Sequence, residues 1–165
     1  HLVPRIVDRG QRGKLKLVGG GLKLIDSVYI DNAADAHILA GDKLAPEAAC
    51  AGKAYFITQG APIPSHELIN GILDAAGIGP VKKSIHPSMA YGVGAMLEGI
   101  YNLFSIQSEP LMTRFVARQL ATAHWYDISA AKRDLGYNPV VNTDEGLKRL
   151  GAWFEKQGKR DAHAG

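Results

Sequence analysis

Helix-forming stretches and short extended runs alternate along the chain. Leu2 to Arg9 has helical spacing, with Leu2 and Ile6 on one side, and Gly10 and Gly13 break it. Lys14 to Val18 alternates lysine with apolar residues, the pattern of a short half-buried strand. Gly19-Gly20-Gly21 reads as a flexible turn, and Ile25 to Ile30 as a second strand. Asn32 or Asp31 is placed to cap the following helix, which reaches about Leu44 before Pro46. Lys53 to Thr58 is rich in aromatic and β-branched residues and predicts a strand. Ser65 predicts an N-cap for a helix over 66–76, stopped by Gly77, and Val81 to Ile85 another short strand. Helices are predicted over 89–104 and 113–120. A further one is capped by Ser129 and closed by Gly136, and the last, capped by Asn142 or Thr143, runs to about Gln157. Gly158 onward reads as a polar tail.

The helix over 89–104 carries Met89, Val93, Met96, Leu97, Ile100 and Phe104 on one face. It is too short and too interrupted to span a bilayer. Two readings follow: a helix packed on the core or roofing an apolar pocket, and a stripe lying in a membrane interface as a peripheral contact.

A hydrophobic content of 46% with 21% charged residues is that of an ordinary folded domain, and 165 residues suffice for one core. The net charge of +3 is small and scattered, its densest run being Gln11-Arg12-Gly13-Lys14-Leu15-Lys16, so no nucleic-acid partner is expected. The lone Cys50 excludes an internal disulfide framework and points to a reducing, cytoplasmic setting. The opening His1-Leu2-Val3-Pro4 has neither Met nor an apolar leader, which is expected of a piece of a longer chain.

The chemistry-bearing patterns are mostly absent. Gly19 and Gly21, and Gly92 and Gly94, lack the third glycine and the strand–helix context of a phosphate-cradling loop. No tyrosine has a lysine four residues on, the spacing that lets a cation lower a tyrosine pKa on one helix face. The six histidines have no zinc-site spacing. Asp31, Asp35 and His37 read as caps and helix surface, and no Gly-x-Ser-x-Gly elbow occurs.

Two segments carry a resemblance. The first is Val28-Tyr29-Ile30-Asp31-Asn32-Ala33-Ala34-Asp35-Ala36-His37-Ile38-Leu39. The second is Trp125-Tyr126-Asp127-Ile128-Ser129-Ala130-Ala131-Lys132-Arg133-Asp134-Leu135-Gly136-Tyr137-Asn138-Pro139. Together they resemble the carboxyl-terminal half of extended short-chain dehydrogenase/reductases, within the NAD-dependent epimerase/dehydratase superfamily. The nearest branch is that of 3β-hydroxysteroid dehydrogenases and 3-keto acid reductases. The resemblance implies an α/β fold: the carboxyl-terminal portion of a Rossmann-type enzyme, mostly substrate domain plus the last sheet strands. Residues 1–157 would form that half, including edge strands of the cofactor-domain sheet, and 158–165 the tail. The strand Lys53–Thr58 would join the edge of the parallel sheet.

The same resemblance implies NAD or NADP in the full-length enzyme and none bound by this piece. The catalytic Tyr-Lys pair would lie in a missing amino-terminal half. This chain, inactive alone, would dock onto that half or self-associate through its open strand edges. In the nucleotide-sugar branch an arginine that binds diphosphate precedes the position matched by Asp26; here Ile25 stands there. An apolar side chain cannot fork onto phosphate oxygens. This departure favours a steroid-like or long-chain 3-hydroxy or 3-keto substrate over a sugar nucleotide. The positions matched to the family's substrate loop are His1, Leu2, Lys16, Leu17, Val18 and Ile25, which either line an apolar pocket or belong to the core. A sugar-nucleotide epimerase or dehydratase, and a non-catalytic sensor of the same fold, are the alternatives.

Overall fold

The computed structural model describes residues 2–108, 110 and 112–163, with side chains described through 157. Its elements are α1 (Leu2–Gln11), β1 (Leu17–Val18), a 3-10 turn (Gly19–Gly21), β2 (Leu24–Ile25), α2 (Ile30–Lys43), β3 (Ile63–Pro64), α3 (Ser65–Ala75), β4 (Ser84–Ile85), α4 (Pro87–Leu103), α5 (Arg114–Ala121), α6 (Ser129–Leu135) and α7 (Thr143–His163). They group into two compact units, each built from two stretches of chain: 1–24 with 64–124, and 25–63 with 125–165. β2 and β3 fall where the chain passes from one unit to the other.

In the first unit β1 and β4 run parallel, with Leu17 opposite Ser84 and Val18 opposite Ile85. Each strand is two residues long, so the extended runs at 14–18 and 81–85 are realised only at their ends. Val18, Ala90 and Ala117 form a small core between this pair, α4 and α5. The helices meet closely because α4 presents small residues. A Cβ on Gly94 would stand 2.7 Å from the Thr113 carbonyl carbon and 2.8 Å from the Arg114 nitrogen. Thr113 caps α5, its hydroxyl accepting from the Val116 amide at 3.1 Å. α1 lies on α3 with Ile6 buried, and Gly10 makes room for Leu73, which is fully buried.

Of the α4 stripe only Leu97 is half-buried; the rest does not pack inward. Met89, Val93, Met96, Ile100 and Phe104 are all exposed, and the buried positions of this helix are Ala90 and Gly94. The expected packed face is therefore the outer one, because the contact with α5 is too close for large side chains.

In the second unit Ala36, Cys50, Ile128, Ala131, Leu135 and Tyr137 form the core, with Tyr55 and Ile57 packed against it. Helix α2 begins at Ile30, so Asn32 is no cap. It is buried inside the first turn, and its side chain makes four hydrogen bonds. The amide nitrogen donates to Gln59 Oε1 (3.1 Å) and the Val141 carbonyl (2.7 Å), and the side-chain oxygen accepts from the Val140 and Val141 amides (both 3.1 Å). The Tyr137 hydroxyl donates to the Thr58 carbonyl at 3.0 Å. Ser129 is the first residue of α6; the capping acceptor is Asp127, which takes both its amide and its hydroxyl. Gly136 ends α6 in the left-handed region, φ 71°, as a C-cap glycine does. Asn142 caps α7 by accepting from the Glu145 amide, and the helix continues to His163 rather than stopping near Gln157.

No strand forms over Ile25–Ile30 beyond its first residue, nor over Lys53–Thr58. A ladder needs a partner, and residues 54–57 make no backbone hydrogen bond with another described residue. The strand alternation survives as burial. Tyr55 and Ile57 face the core, and Phe56 faces out, stacked on Tyr126 with centroids 4.1 Å apart.

Candidate substrate-side site

The segment matched to the substrate loop is built on glycines. Gly19, Gly20 and Gly21 have φ of 57°, 71° and 69°, a conformation open to glycine at little cost. At Gly21 there is also no room, since a Cβ would stand 2.7 Å from that of His66. The Gly21 carbonyl accepts from the Ser65 hydroxyl (3.1 Å) and from His66 Nδ1 (3.0 Å), which sets the proton on that nitrogen. Ser84 Oγ accepts from the Gly20 amide (2.9 Å) and donates to the Leu17 carbonyl (3.1 Å). The loop is thus pinned to the start of α3 and to the β1–β4 pair.

Among the residues expected to line a pocket, His1 lies outside the described residues. Leu2 is exposed at the start of α1 and Lys16 exposed just before β1. Leu17 and Val18 take core positions, 8% and 4% exposed. Ile25 is half-buried in β2. Leu2, Lys16, Leu17 and Val18 belong to the first unit, Ile25 to the second.

The first unit also holds an open hollow of about 470 Å³, bounded by the end of α4, the segment after it and the start of α5. Its apolar wall is Ile106, Pro110 and Phe115; its polar groups are Glu98, Tyr101, Asn102, Ser108 and Thr113. Glu98 is fixed by Arg114, whose amide and Nε donate to it at 2.7 and 2.6 Å. The amide bond first, and then the guanidinium, hold the Glu98 carboxyl below its ordinary range. A carboxylate kept ionised in this way is a poor proton donor. Sequence reasoning missed this hollow because its residues come together only when α4 meets α5.

A dinucleotide needs a glycine turn that leads from a strand into a helix with free amides at its start. Gly19–Gly21 stands between two strands and gives the Gly20 amide to Ser84, while Gly92 and Gly94 lie inside α4. Neither glycine run therefore has the geometry of a loop that cradles a cofactor diphosphate. No three His, Cys, Asp or Glu side chains gather into a metal site among the described residues.

Comparison with known proteins agrees with this geometry. The fold resembles UDP-glucuronic acid 4-epimerase from Bacillus cereus, solved in complex with NAD, with a TM-score of 0.59 and 17% identity over 95% of this chain and 40% of that one. It also resembles UDP-glucose 4-epimerase from Thermotoga maritima, solved with UDP-glucose, at a TM-score of 0.57, 21% identity and the same coverage. At such identities the likeness carries the fold alone, that of a portion of these Rossmann-type enzymes. The profile of the 3-beta hydroxysteroid dehydrogenase/isomerase family matches residues 1–86, and the chain belongs to that family. It is 52% identical to the 2-alkyl-3-oxoalkanoate reductase of Stenotrophomonas maltophilia over 92% of this chain and 46% of that protein. It is 34% identical to the mouse sterol-4-alpha-carboxylate 3-dehydrogenase, decarboxylating, over 90% of this chain and 42% of that protein. The chain spans less than half the length of these relatives.

Proposed function

We propose that this chain is the substrate-side part of an NAD(P)-dependent oxidoreductase that acts on a long-chain 3-hydroxy/3-keto or steroid-like substrate and is inactive by itself. The observation that carries the reading is the 52% identity, across nearly the whole chain, to a protein named 2-alkyl-3-oxoalkanoate reductase. Ile25 supports the apolar substrate class, because it offers hydrocarbon where a diphosphate would require a charged fork. The absence of a Tyr-x-x-x-Lys pair from this sequence supports the inactivity, because that pair would give the proton to a ketone as hydride arrives. Residues 54–57, extended and without backbone partners among the described residues, support docking of the amino-terminal part of the enzyme along that segment.

A chimaera tests this. The matched part of the Stenotrophomonas reductase is replaced by this chain and assayed with NADPH and NADH on a long-chain 2-alkyl-3-oxo acid. Turnover by the chimaera, with none by the isolated chain, is expected. Introducing Ile25→Arg into the chimaera should lower kcat/KM on that substrate on the order of ten-fold or more, since a guanidinium set against an apolar substrate loses water without gaining a partner. A folded chimaera that ignores 3-oxo acids, or an isolated chain that turns over, overturns the proposal.

A further inference from the structure

Among the described residues each unit lays one arginine over one tyrosine, and the two stacks differ in what completes them. In the second unit the Arg149 guanidinium lies 5.5 Å from the centre of the Tyr29 ring. Its N–H edge is taken by two acids, Nη1 donating to Asp31 at 3.0 Å and Nε to Glu145 at 2.9 Å. In the first unit the Arg118 guanidinium lies 5.1 Å from the centre of the Tyr91 ring. No carboxylate among the described residues pairs with it. The other arginine of α5, Arg114, is committed to Glu98.

The packing of α5 sets this stack in place. Ala117 is buried with Val18 and Ala90, and Tyr91, the next residue of α4, packs half-buried against the same small core. Arg118 follows Ala117, stays exposed, and crosses the ring face. A guanidinium stacked in this way keeps its N–H groups in one plane, where they match the two oxygens of a carboxylate. The ring also restrains the side chain beforehand, so less freedom is lost when an acid pairs with it.

The location fits a substrate contact. Val18 ends β1, and α5 packs against β1 and the glycine turn, the segment matched to the substrate loop. The first unit holds ten Lys and Arg against five Asp and Glu, so its field favours an anion.

We propose that Arg118, held over Tyr91, receives the carboxylate of the substrate and selects an acid over a neutral ketone. This rests on the reading of the chain as the substrate side of a 3-hydroxy/3-keto oxidoreductase. In the second unit the chain supplies the acids of the stack; in the first the ligand brings its own. No bond breaks at Arg118, so its effect belongs to binding and specificity.

The whole chain is dialysed against 3-hydroxydecanoate and against its methyl ester. The acid should bind roughly ten-fold tighter or more, the difference that a charge-assisted pair supplies. Arg118→Gln should abolish that preference, with ester binding and circular dichroism unchanged. Tyr91→Leu, which keeps the cation but frees it, should lower the preference on the order of three-fold. In the chimaera described above, Arg118→Gln should raise KM for the 2-alkyl-3-oxo acid about ten-fold, keep kcat within about two-fold, and leave kcat/KM for the methyl ester unchanged. The assignment fails if the chain binds neither compound, if it binds both alike, or if Arg118→Gln keeps the preference. It fails also if Lys82→Gln removes the preference as fully, which would make it an effect of overall charge. A chimaera that turns over neither compound, beside a chain with the Arg118-dependent preference, overturns the redox reading and leaves the carboxylate site standing.

Discussion

The second unit and the α4–α5 contact of the first are held in different ways. In the second, large and polar groups go inside: Tyr137 and Leu135 are 2% exposed, and Asn32, at 1%, satisfies four hydrogen bonds there. In the first, the α4–α5 contact is made by Ala90, Gly94 and Ala117 with Tyr91 at its edge, and Met89, Val93, Met96, Ile100 and Phe104 stay outside. Fully satisfied buried polar groups fix one arrangement of the backbone, because every competing arrangement leaves them unpaired. Close contact through small residues leaves the outer side chains free to serve another surface.

Both tryptophans, Trp125 and Trp153, lie in the second unit, so their fluorescence reports it selectively, while hydrogen exchange reports both. The largest effect is expected from Asn32→Ala, which strands the Val140 and Val141 amides and the Val141 carbonyl. Its cost should reach about 3 kcal/mol or more. Urea unfolding followed by tryptophan emission should shift by that amount, with protection in α4 and α5 little changed. Equal loss of protection in both units would break the contrast between them. Next comes Gly94→Val, whose added carbons meet the Thr113 and Arg114 backbone and should cost about 1–3 kcal/mol. Exchange in α4 and α5 should quicken while the fluorescence transition stays put.

A smaller gain is expected from Ser105→Gly. Relieving a left-handed serine should raise the stability of the first unit by about 0.5–1 kcal/mol, seen as slower exchange at the end of α4. The smallest effect concerns pH in the second unit. Asp134 accepts from Arg133, Lys53 and Tyr55, which hold its carboxyl well below the ordinary range. Its contribution is complete above the ordinary carboxylate value and disappears as pH falls through the depressed one. Burial and the Asp134 bond push the Tyr55 hydroxyl from 10 up to about 12. That contribution is complete below pH 10 and lost as pH rises toward 12. The Asp134 side chain is only 6% exposed, but its cationic partners Lys53 and Arg133 are open to water and screened, so the change is small. Tyr55→Phe should flatten the alkaline limb, and Lys53→Met the acid one, of a fluorescence-detected stability profile.

The helices were legible because capping residues and glycine stops are local signals: Asn142 binds an amide of α7, and Gly136 closes α6. The strands were not, because Lys53–Thr58 has the composition and the alternation of a strand but no described neighbour to pair with. Asn32 looked like a cap because its role depends on residues 140 and 141, more than a hundred positions away. The α4 stripe could be read from its spacing, yet its direction was set by Gly94, whose missing side chain admits α5. Of the expected pocket residues, spacing could not tell a lining position from a core one, and Leu17 and Val18 fall in the core. The hollow at Glu98 left no sequence signal beyond one acid in an apolar helix.

Each unit is assembled from two stretches far apart in the chain, 1–24 with 64–124 and 25–63 with 125–165. This interleaving dictates an order of events during synthesis. Residues 25–63 emerge long before α6, so Tyr55, Ile57 and Cys50 stay without the core they belong to until the final stretch leaves the ribosome. The β1–β4 pair joins Leu17 to Ser84 only after all of 25–63 has been made. Closing such long loops is slow, since chain entropy must be lost before any contact forms. The first unit can therefore be complete while its neighbour is still half-made. A truncation near residue 125 would leave the helix with the apolar stripe folded beside an unfinished core.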